Sequence, residues 1–303
     1  MSDGSTLGLD SPVQLHSDRS VPEWDVNPIS RTAFYCCGAR AEDAASAEPI
    51  CGDVHAASFL AGQGEDVFAE FADEVRPNQT NVARHRIIDD IVREELTRDP
   101  ERWVLVLGAG FDSRPYRLTG GRWVEVEEPP ILGLKEERLP SKGCPNELHR
   151  IAVTFGKGEL PGKLAALPIS NPLVIVEGVF MYLSKAETGQ LFEFLNGRYP
   201  EHRLVGDVMT RSFFDRYSRS LHEKLGDLGA QFREMDDRPI ALFGKSGYRL
   251  RERVSIVAHG AALRGGNVAS FLIRVFAPGL AYGYAIYTFD SAGSPERPNS
   301  KSP

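Results

Sequence analysis

Residues 104–115, Val-Leu-Val-Leu-Gly-Ala-Gly-Phe-Asp-Ser-Arg-Pro, constrain this chain more than any other stretch. The Val/Leu run reads as a strand buried on both faces, the habit of a parallel sheet. Gly108-Ala109-Gly110 follows at once, where the backbone can turn sharply and let a ligand approach. The segment before it reads as helical, and the segment after it alternates strand and helix. The expectation is the first strand of a doubly wound α/β sheet, with a ligand loop at its carboxyl end.

Residues 1–26 are polar and read as a disordered tail. A helix is expected to start near Ser30 and to be interrupted by Pro49 and Gly52, and two more are expected at about 54–61 and 65–75, with Pro77-Asn78 breaking the chain before a clear amphipathic helix over 81–97. Strands are expected at 102–107, 122–127, 149–154, 172–177 and 203–208, spaced by helix-length segments as in βαβ units. Residues 210–246 are charged and aromatic and read as an inserted helical cap. Two further strands, 248–258 and 280–289, flank a helix near 266–276, and residues 291–303 read as a second tail. The chain is therefore one domain over 27–290. Its N-terminal helices span 27–100, the ligand-binding core 101–209, the cap 210–246 and the last strands 247–290.

The net charge of −7 disfavours a nucleic-acid surface. No apolar run approaches the roughly 18 residues of a membrane span, and the start lacks the pattern of a secretory leader. Cys36, Cys37, Cys51 and Cys144 show neither CxxC nor zinc spacing. These features point to a reduced, cytoplasmic protein without a structural metal.

Ligands of open α/β sheets bind outside the carboxyl ends of the strands. Here those ends carry Gly108-Ala109-Gly110, Glu127, Thr154, Glu177 and Asp207. Glu127 lies 17 residues after Gly110, near the spacing at which a carboxylate accepts from both hydroxyls of a ribose. Glu125 shares its face, with no role assignable from sequence. Glu177 follows four apolar residues, so a cationic partner is expected for it. A dinucleotide fingerprint would want glycine or alanine where Ser113 stands. Pro115 also shortens the following helix, leaving little to hold a pyrophosphate. A nucleoside ligand without phosphate fits better, and S-adenosylmethionine is one.

Together, LGAGFDSRPYRL, VEVEEP, VEGVFMYL and the terminal GYAIYTF resemble the leucine carboxyl methyltransferase family. The closer likeness is to its branch of small-molecule O-methyltransferases of polyketide biosynthesis. Val82-Ala83-Arg84-His85-Arg86 and Arg31-Thr-Ala-Phe-Tyr also fit that pattern. The resemblance covers about residues 30–289. It implies a class I methyltransferase fold, Rossmann-like, with seven strands of which the last is antiparallel, and it implies S-adenosylmethionine as cofactor. By motif, Gly108 and Gly110 would pack against the methionine and ribose of the cofactor. Glu127 would hold the ribose, where the family usually has Asp. Arg84 would meet the cofactor carboxylate, with Arg86 the lesser candidate. Glu177 would accept from its amine, with Tyr182 nearby. The third strand of the family usually ends in Asp-Phe, the Asp meeting the adenine amino group; here the pair is Thr154-Phe155.

The implied reaction is in-line methyl transfer to a carboxylate or hydroxyl of a small molecule in secondary metabolism. No catalytic residue is assigned. A carboxylate needs no general base, whereas a phenol benefits from one, and His85, His149 and His222 are the histidines to inspect. Arg211, Arg216 and Arg219 of the cap are either solvated charges or a lure for an acidic substrate. Two alternatives stand beside this reading. One is a methyltransferase for a protein's C-terminal carboxylate; the other is a non-catalytic nucleotide-binding member of the fold, for which Thr154 is the main support. An NAD-dependent oxidoreductase is disfavoured by Ser113. Oligomeric state is not legible.

Overall fold

The computed structural model describes residues 27–233 and 235–295, so the tail expected over 1–26 and most of that over 291–303 lie outside the described residues. Seven strands form one sheet: β1 (Trp103–Leu107), β2 (Arg122–Glu127), β3 (Glu147–Ala152), β4 (Leu173–Val176), β5 (Arg203–Met209), β6 (Arg249–Ser255) and β7 (Tyr284–Asp290). Their order is β3-β2-β1-β4-β5-β7-β6. β1 to β5 pair in parallel, and β7 runs antiparallel to both β5 and β6. This is the seven-stranded arrangement that the resemblance implied.

Alternation along β1 explains why every residue in it is apolar. Leu105 and Leu107 enter one core with Val124, Val176, Phe192 and Phe289, while Val104 and Val106 enter the opposite core with Ile88, Val92, Leu96 and Ile286. The helix Val75–Arg98 supplies the second core, and the helix Lys185–Arg198 supplies Phe192 and Leu195 to the first. The order of the strands reverses direction between β1 and β4, which opens the crevice at their carboxyl ends.

Several boundaries differ from the sequence expectation, each for a local reason. Pro77 does not break the chain, because it sits in the first turn of Val75–Arg98, where its missing N–H has no helical acceptor to lose. β3 ends at Ala152, so Thr154 lies in the turn after the strand rather than at its end. β6 stops at Ser255, whose Oγ accepts from the Ala258 amide and caps the helix Ile256–Leu263. β7 starts late because Pro278–Tyr282 forms a helical turn with proline in its opening residues. The expected boundary at 290 is also early. Ser291 is buried, its amide donates to His202 O, and its hydroxyl donates to Pro200 O.

The cap packs on the N-terminal helices as well as over the sheet. Leu225 joins Tyr35, Phe68, Phe71 and Val82 in one apolar cluster, and Lys224 reaches Asp73 and Glu74. Among the described residues, no helix is long and apolar enough to cross a membrane.

Candidate functional site

A cavity of about 590 Å³ opens at the carboxyl ends of β1, β2 and β4. Eight of the residues named from sequence line it: Arg84, Gly108, Gly110, Glu127, Thr154, Phe155, Glu177 and Tyr182; Arg86 and Asp207 do not. The loop after β1 comes close to the ligand space because its glycines adopt left-handed backbone, with φ of 70° at Gly108 and 45° at Gly110. A Cβ on Gly108 would fall 2.5 Å from Val179 Cγ2, so the cradle has no room for a side chain there.

Glu127 is buried at the end of β2. Its Oε2 accepts from the Gly110 amide at 2.7 Å and its Oε1 from the Glu128 amide at 2.8 Å. Burial pushes its carboxyl pKa up, against those two backbone donors. Each oxygen keeps a free lone pair, so the carboxylate can still accept from a diol. Glu125, one pleat earlier, plays a structural part: Lys135 and Arg150 hold it at 2.7 and 3.0 Å, tying β2 to the helix Pro129–Arg138 and to β3.

Past β3 the wall is made by Thr154 and Phe155. The Thr154 amide donates to Glu159 Oε2 and the Phe155 amide to Glu128 Oε1. Phe155 is 43% exposed, an aromatic face left open at the cavity.

The opposite end of the cavity holds a buried ionic network. Arg84 Nε lies 3.1 Å from Glu177 Oε1, while its Nη1 donates to Tyr284 Oη at 2.8 Å and approaches Asp207 Oδ2 at 3.4 Å. Asp207 in turn accepts from Tyr284 Oη and from the Gly178 amide, which fixes the end of β4. Among the described residues, the remaining Arg84 nitrogen, Nη2, meets only Cys36 Sγ, at 3.7 Å. The cationic partner expected for Glu177 is therefore supplied within the chain, by Arg84 and also by Arg114. Arg114, Arg117, Asp89 and Asp53 are components that sequence reasoning missed. The signal for the two arginines lay inside the motif Asp-Ser-Arg-Pro-Tyr-Arg, but nothing local says that both turn inward, and nothing in sequence marks Asp89 or Asp53 as their partners. Arg114 joins Asp89, Asp112 and Glu177, and Arg117 joins Asp89 and Asp53. Although burial opposes ionisation, Arg114, His85 and Arg84 hold the Glu177 carboxyl well below the usual range.

The histidines do not form a base at the open end. His85 is buried within this network, with Arg114 against Nδ1 and Arg117 against Nε2, and burial and then Arg114 lower its pKa. His149 pairs with Glu147 on the surface. His222 accepts from the Phe232 amide inside the cap.

The third side of the cavity is formed by Asn27, Ile29, Thr32, Tyr182, Gln190 and Arg233. Arg211, Arg216 and Arg219 are exposed and do not line it, as expected of solvated helix charges. Arg211 pairs with Asp215 and Arg216 lies over the Tyr217 ring. The cap instead contributes Arg233, held to Glu187 at 2.9 Å.

A family model described as leucine carboxyl methyltransferase matches residues 33–196. A protein of Mycobacteroides abscessus named "Putative S-adenosyl-L-methionine-dependent methyltransferase" is 31% identical over 191 residues, covering 57% of this chain and 62% of that protein. One of the same name from Mycobacterium marinum is 27% identical over 194 residues, covering 57% and 64%. The chain thus matches less than two thirds of the length of these curated relatives. Among solved structures, a DUF574 family protein from Streptomyces avermitilis superposes with a TM-score of 0.56 at 13% identity, over 77% of this chain and 94% of that one. That likeness is one of fold.

Proposed function

The chain belongs to the leucine carboxyl methyltransferase family, and from that premise we propose that it is an S-adenosylmethionine-dependent O-methyltransferase acting on a carboxylate or hydroxyl of a small molecule. The observation that carries this reading is the juxtaposition along one cavity wall of three matched groups. Glu127 offers free lone pairs to a ribose diol. Glu177 offers a carboxylate to an amine, and beside it Arg84 keeps Nη2 for a carboxylate. An α-amino acid joined to a nucleoside needs this set, and a pyrophosphate has no comparable seat here. Gly108 and Gly110 would let the backbone lie against the cofactor, with Thr154, Phe155 and Tyr182 completing the wall.

When bound, the cofactor supplies a methyl group already activated on a sulfonium. The chain's contribution is alignment, which can lower a barrier by up to roughly 7–11 kcal/mol. The network of Arg84, Glu177, Asp207 and Tyr284 fixes one end of the ligand through side chains that are themselves locked by one another. Glu127 fixes the middle. The acceptor would enter on the side of Thr32, Tyr182, Gln190 and Arg233, where Arg233 provides a cation for an acidic group. Among the described residues no histidine lines that side, which favours an acceptor oxygen that is already ionised, a carboxylate. The cap reaches this side through Arg233, and a small-molecule acceptor is the reading we prefer to a protein terminus. Secondary metabolism in the cytoplasm is the setting we infer for it.

Calorimetry with S-adenosylhomocysteine and with NAD tests the cofactor. Micromolar binding of the former alone is expected, and binding of NAD alone would overturn the reading. Mass spectrometry of a panel of carboxylic acids and phenols, incubated with S-adenosylmethionine, then reads the acceptor class. Methylated peptide termini without methylated small molecules would overturn the small-molecule assignment. Tight cofactor binding with no methylated product from any acceptor would favour a non-catalytic member.

A further inference from the structure

We propose that Glu128 reads the adenine of the cofactor, accepting a hydrogen bond from the exocyclic amino group in place of the acid that Thr154 does not provide. The assignment rests on the cofactor reading above. Glu128 is 8% exposed and lines the cavity. Its Oε1 accepts from the Phe155 amide at 3.2 Å, and among the described residues no hydrogen bond reaches its Oε2. Among the described residues no lysine, arginine or histidine stands within ion-pair distance of it. A buried carboxylate with one neutral donor and no cation is costly to maintain, and a donor on a ligand offsets that cost.

The order of the strands says which donor. Along the sheet edge the cavity wall runs from Glu177 after β4, to the glycine loop after β1, to Glu127 at the end of β2, and then to Thr154 and Phe155 after β3. A ligand with its charged end at Arg84 and Glu177 and its diol at Glu127 must put its base between the ends of β2 and β3. The contact from Glu128 to Phe155 spans that gap, and the half-exposed Phe155 ring offers the base a face. Glu159 is the other carboxylate at this end. It is committed to Lys163 at 3.0 Å and to the Thr154 amide at 3.3 Å, with a side chain 35% exposed. Glu128 is thus the acid with capacity to spare.

The distinguishing probe is the pair S-adenosylhomocysteine and S-inosylhomocysteine, which differ at position six of the base as amino donor against carbonyl acceptor. Calorimetry on wild type should give about 10-fold or more tighter binding of the adenosyl form. In E128Q the amide carbonyl still accepts from Phe155, so the turn is kept, but its NH₂ group can donate to the inosyl carbonyl. The preference should then fall to near equality or reverse, while E159Q keeps the wild-type ratio. T154D in the E128Q background should restore the preference. An unchanged ratio in E128Q, a collapse of the ratio in E159Q, or equal affinities in wild type would overturn the assignment. If wild type binds neither ligand, the cofactor reading fails and takes this assignment with it.

Discussion

Arg114 Nη2 lies 2.8 Å from Glu177 Oε2, and the guanidinium behind it is completely buried. The same guanidinium meets Asp89 through Nε and Asp112 through Nη1, both at 2.6 Å. One side chain thus ties the loop after β1 to the helix Val75–Arg98 and to the end of β4. The site's electrostatics and its architecture rest on the same residue.

Replacing Arg114 with Met keeps most of the stem and removes the charge. Three buried or nearly buried carboxylates then lose a shared cation. The expected cost is about 3–5 kcal/mol, read as a fall in melting temperature on the order of 10 °C. Lysine should rescue little, because a single ammonium cannot reproduce three diverging contacts. Thermal melts of R114M and R114K check this, and near wild-type stability in either would contradict it.

Arg84 and Arg86 separate binding from surface charge. Arg84 is buried among Glu177, Asp207 and Tyr284, whereas Arg86 pairs with Asp90 on a half-exposed face. R84K should weaken S-adenosylhomocysteine by roughly 10- to 100-fold, because the ammonium cannot hold Glu177 and also present a free Nη2. R86Q should leave affinity unchanged and alter stability by no more than about 1 kcal/mol. Equal losses in the two variants would remove Arg84 from the binding site.

The pattern of residues made some of this visible and hid the rest. β2 was legible to the residue, because Arg-Trp-Val-Glu-Val-Glu is bounded by Gly121 and Pro129. Its terminal Glu127 could be placed at the ligand edge by strand direction alone. Arg114 was not legible, since an arginine before a proline usually faces solvent and only the packing of the helix Val75–Arg98 beneath it turns it inward. The cap misled for a related reason. Its arginines at 211, 216 and 219 sit on an exposed helical surface, and the residue that reaches the cavity, Arg233, lies in a segment with no periodicity to read. Thr154, expected at a strand end, lines the cavity from the turn beyond it, and Glu128 drew no notice beside Glu127.

Acid should unfold the protein in two stages. The folded His85 has a lowered pKa, chiefly from burial and then from Arg114, so below about pH 6.5 the unfolded chain takes up a proton that the folded chain refuses. Stability falls as pH drops from there. Asp89 contributes later. Burial opposes its ionisation, but His85, Arg114 and Arg117 hold its pKa at about 2, below the ordinary aspartate range. Its contribution, about 2 kcal/mol, is intact above pH 4 and is lost on the way down to about pH 2. Glu177 adds to this second stage in the same direction. Urea unfolding across this range reads both stages, and H85Q should flatten the first only in part if it folds, because burial also lowers the pKa of His202, His222 and His259. Glu127, whose pKa burial raises, acts in the opposite direction here, so the decisive reading is the comparison: a slope between about pH 7 and pH 5 as steep in H85Q as in wild type would refute the histidine assignment.

Glu127 should make cofactor binding fail before the fold does. Burial raises its pKa, so its folded form accepts a proton while Asp89 and Glu177 are still ionised. A protonated Glu127 has lost an acceptor for the diol. Affinity for S-adenosylhomocysteine should therefore drop on acidification at pH values where circular dichroism still reports the native state. E127Q, which does not titrate, should bind weakly at neutral pH and lose that pH dependence. A pH profile of E127Q that parallels wild type would assign the effect to another group.

Gly108 tests whether the cradle is built from backbone. An alanine there meets two penalties. Its φ of 70° is left-handed, which costs a residue with a Cβ roughly 1–2 kcal/mol. Its Cβ would also stand 2.5 Å from Val179 Cγ2, and Val179 is itself part of the cavity wall. The second penalty can be relieved alone by removing the valine methyls. G108A should therefore lower both melting temperature and affinity for S-adenosylhomocysteine. G108A/V179A should recover part of the lost affinity while keeping the backbone strain. If the double variant binds no better than G108A, the loss comes from the turn itself, and the loop acts by its conformation rather than by the space it leaves.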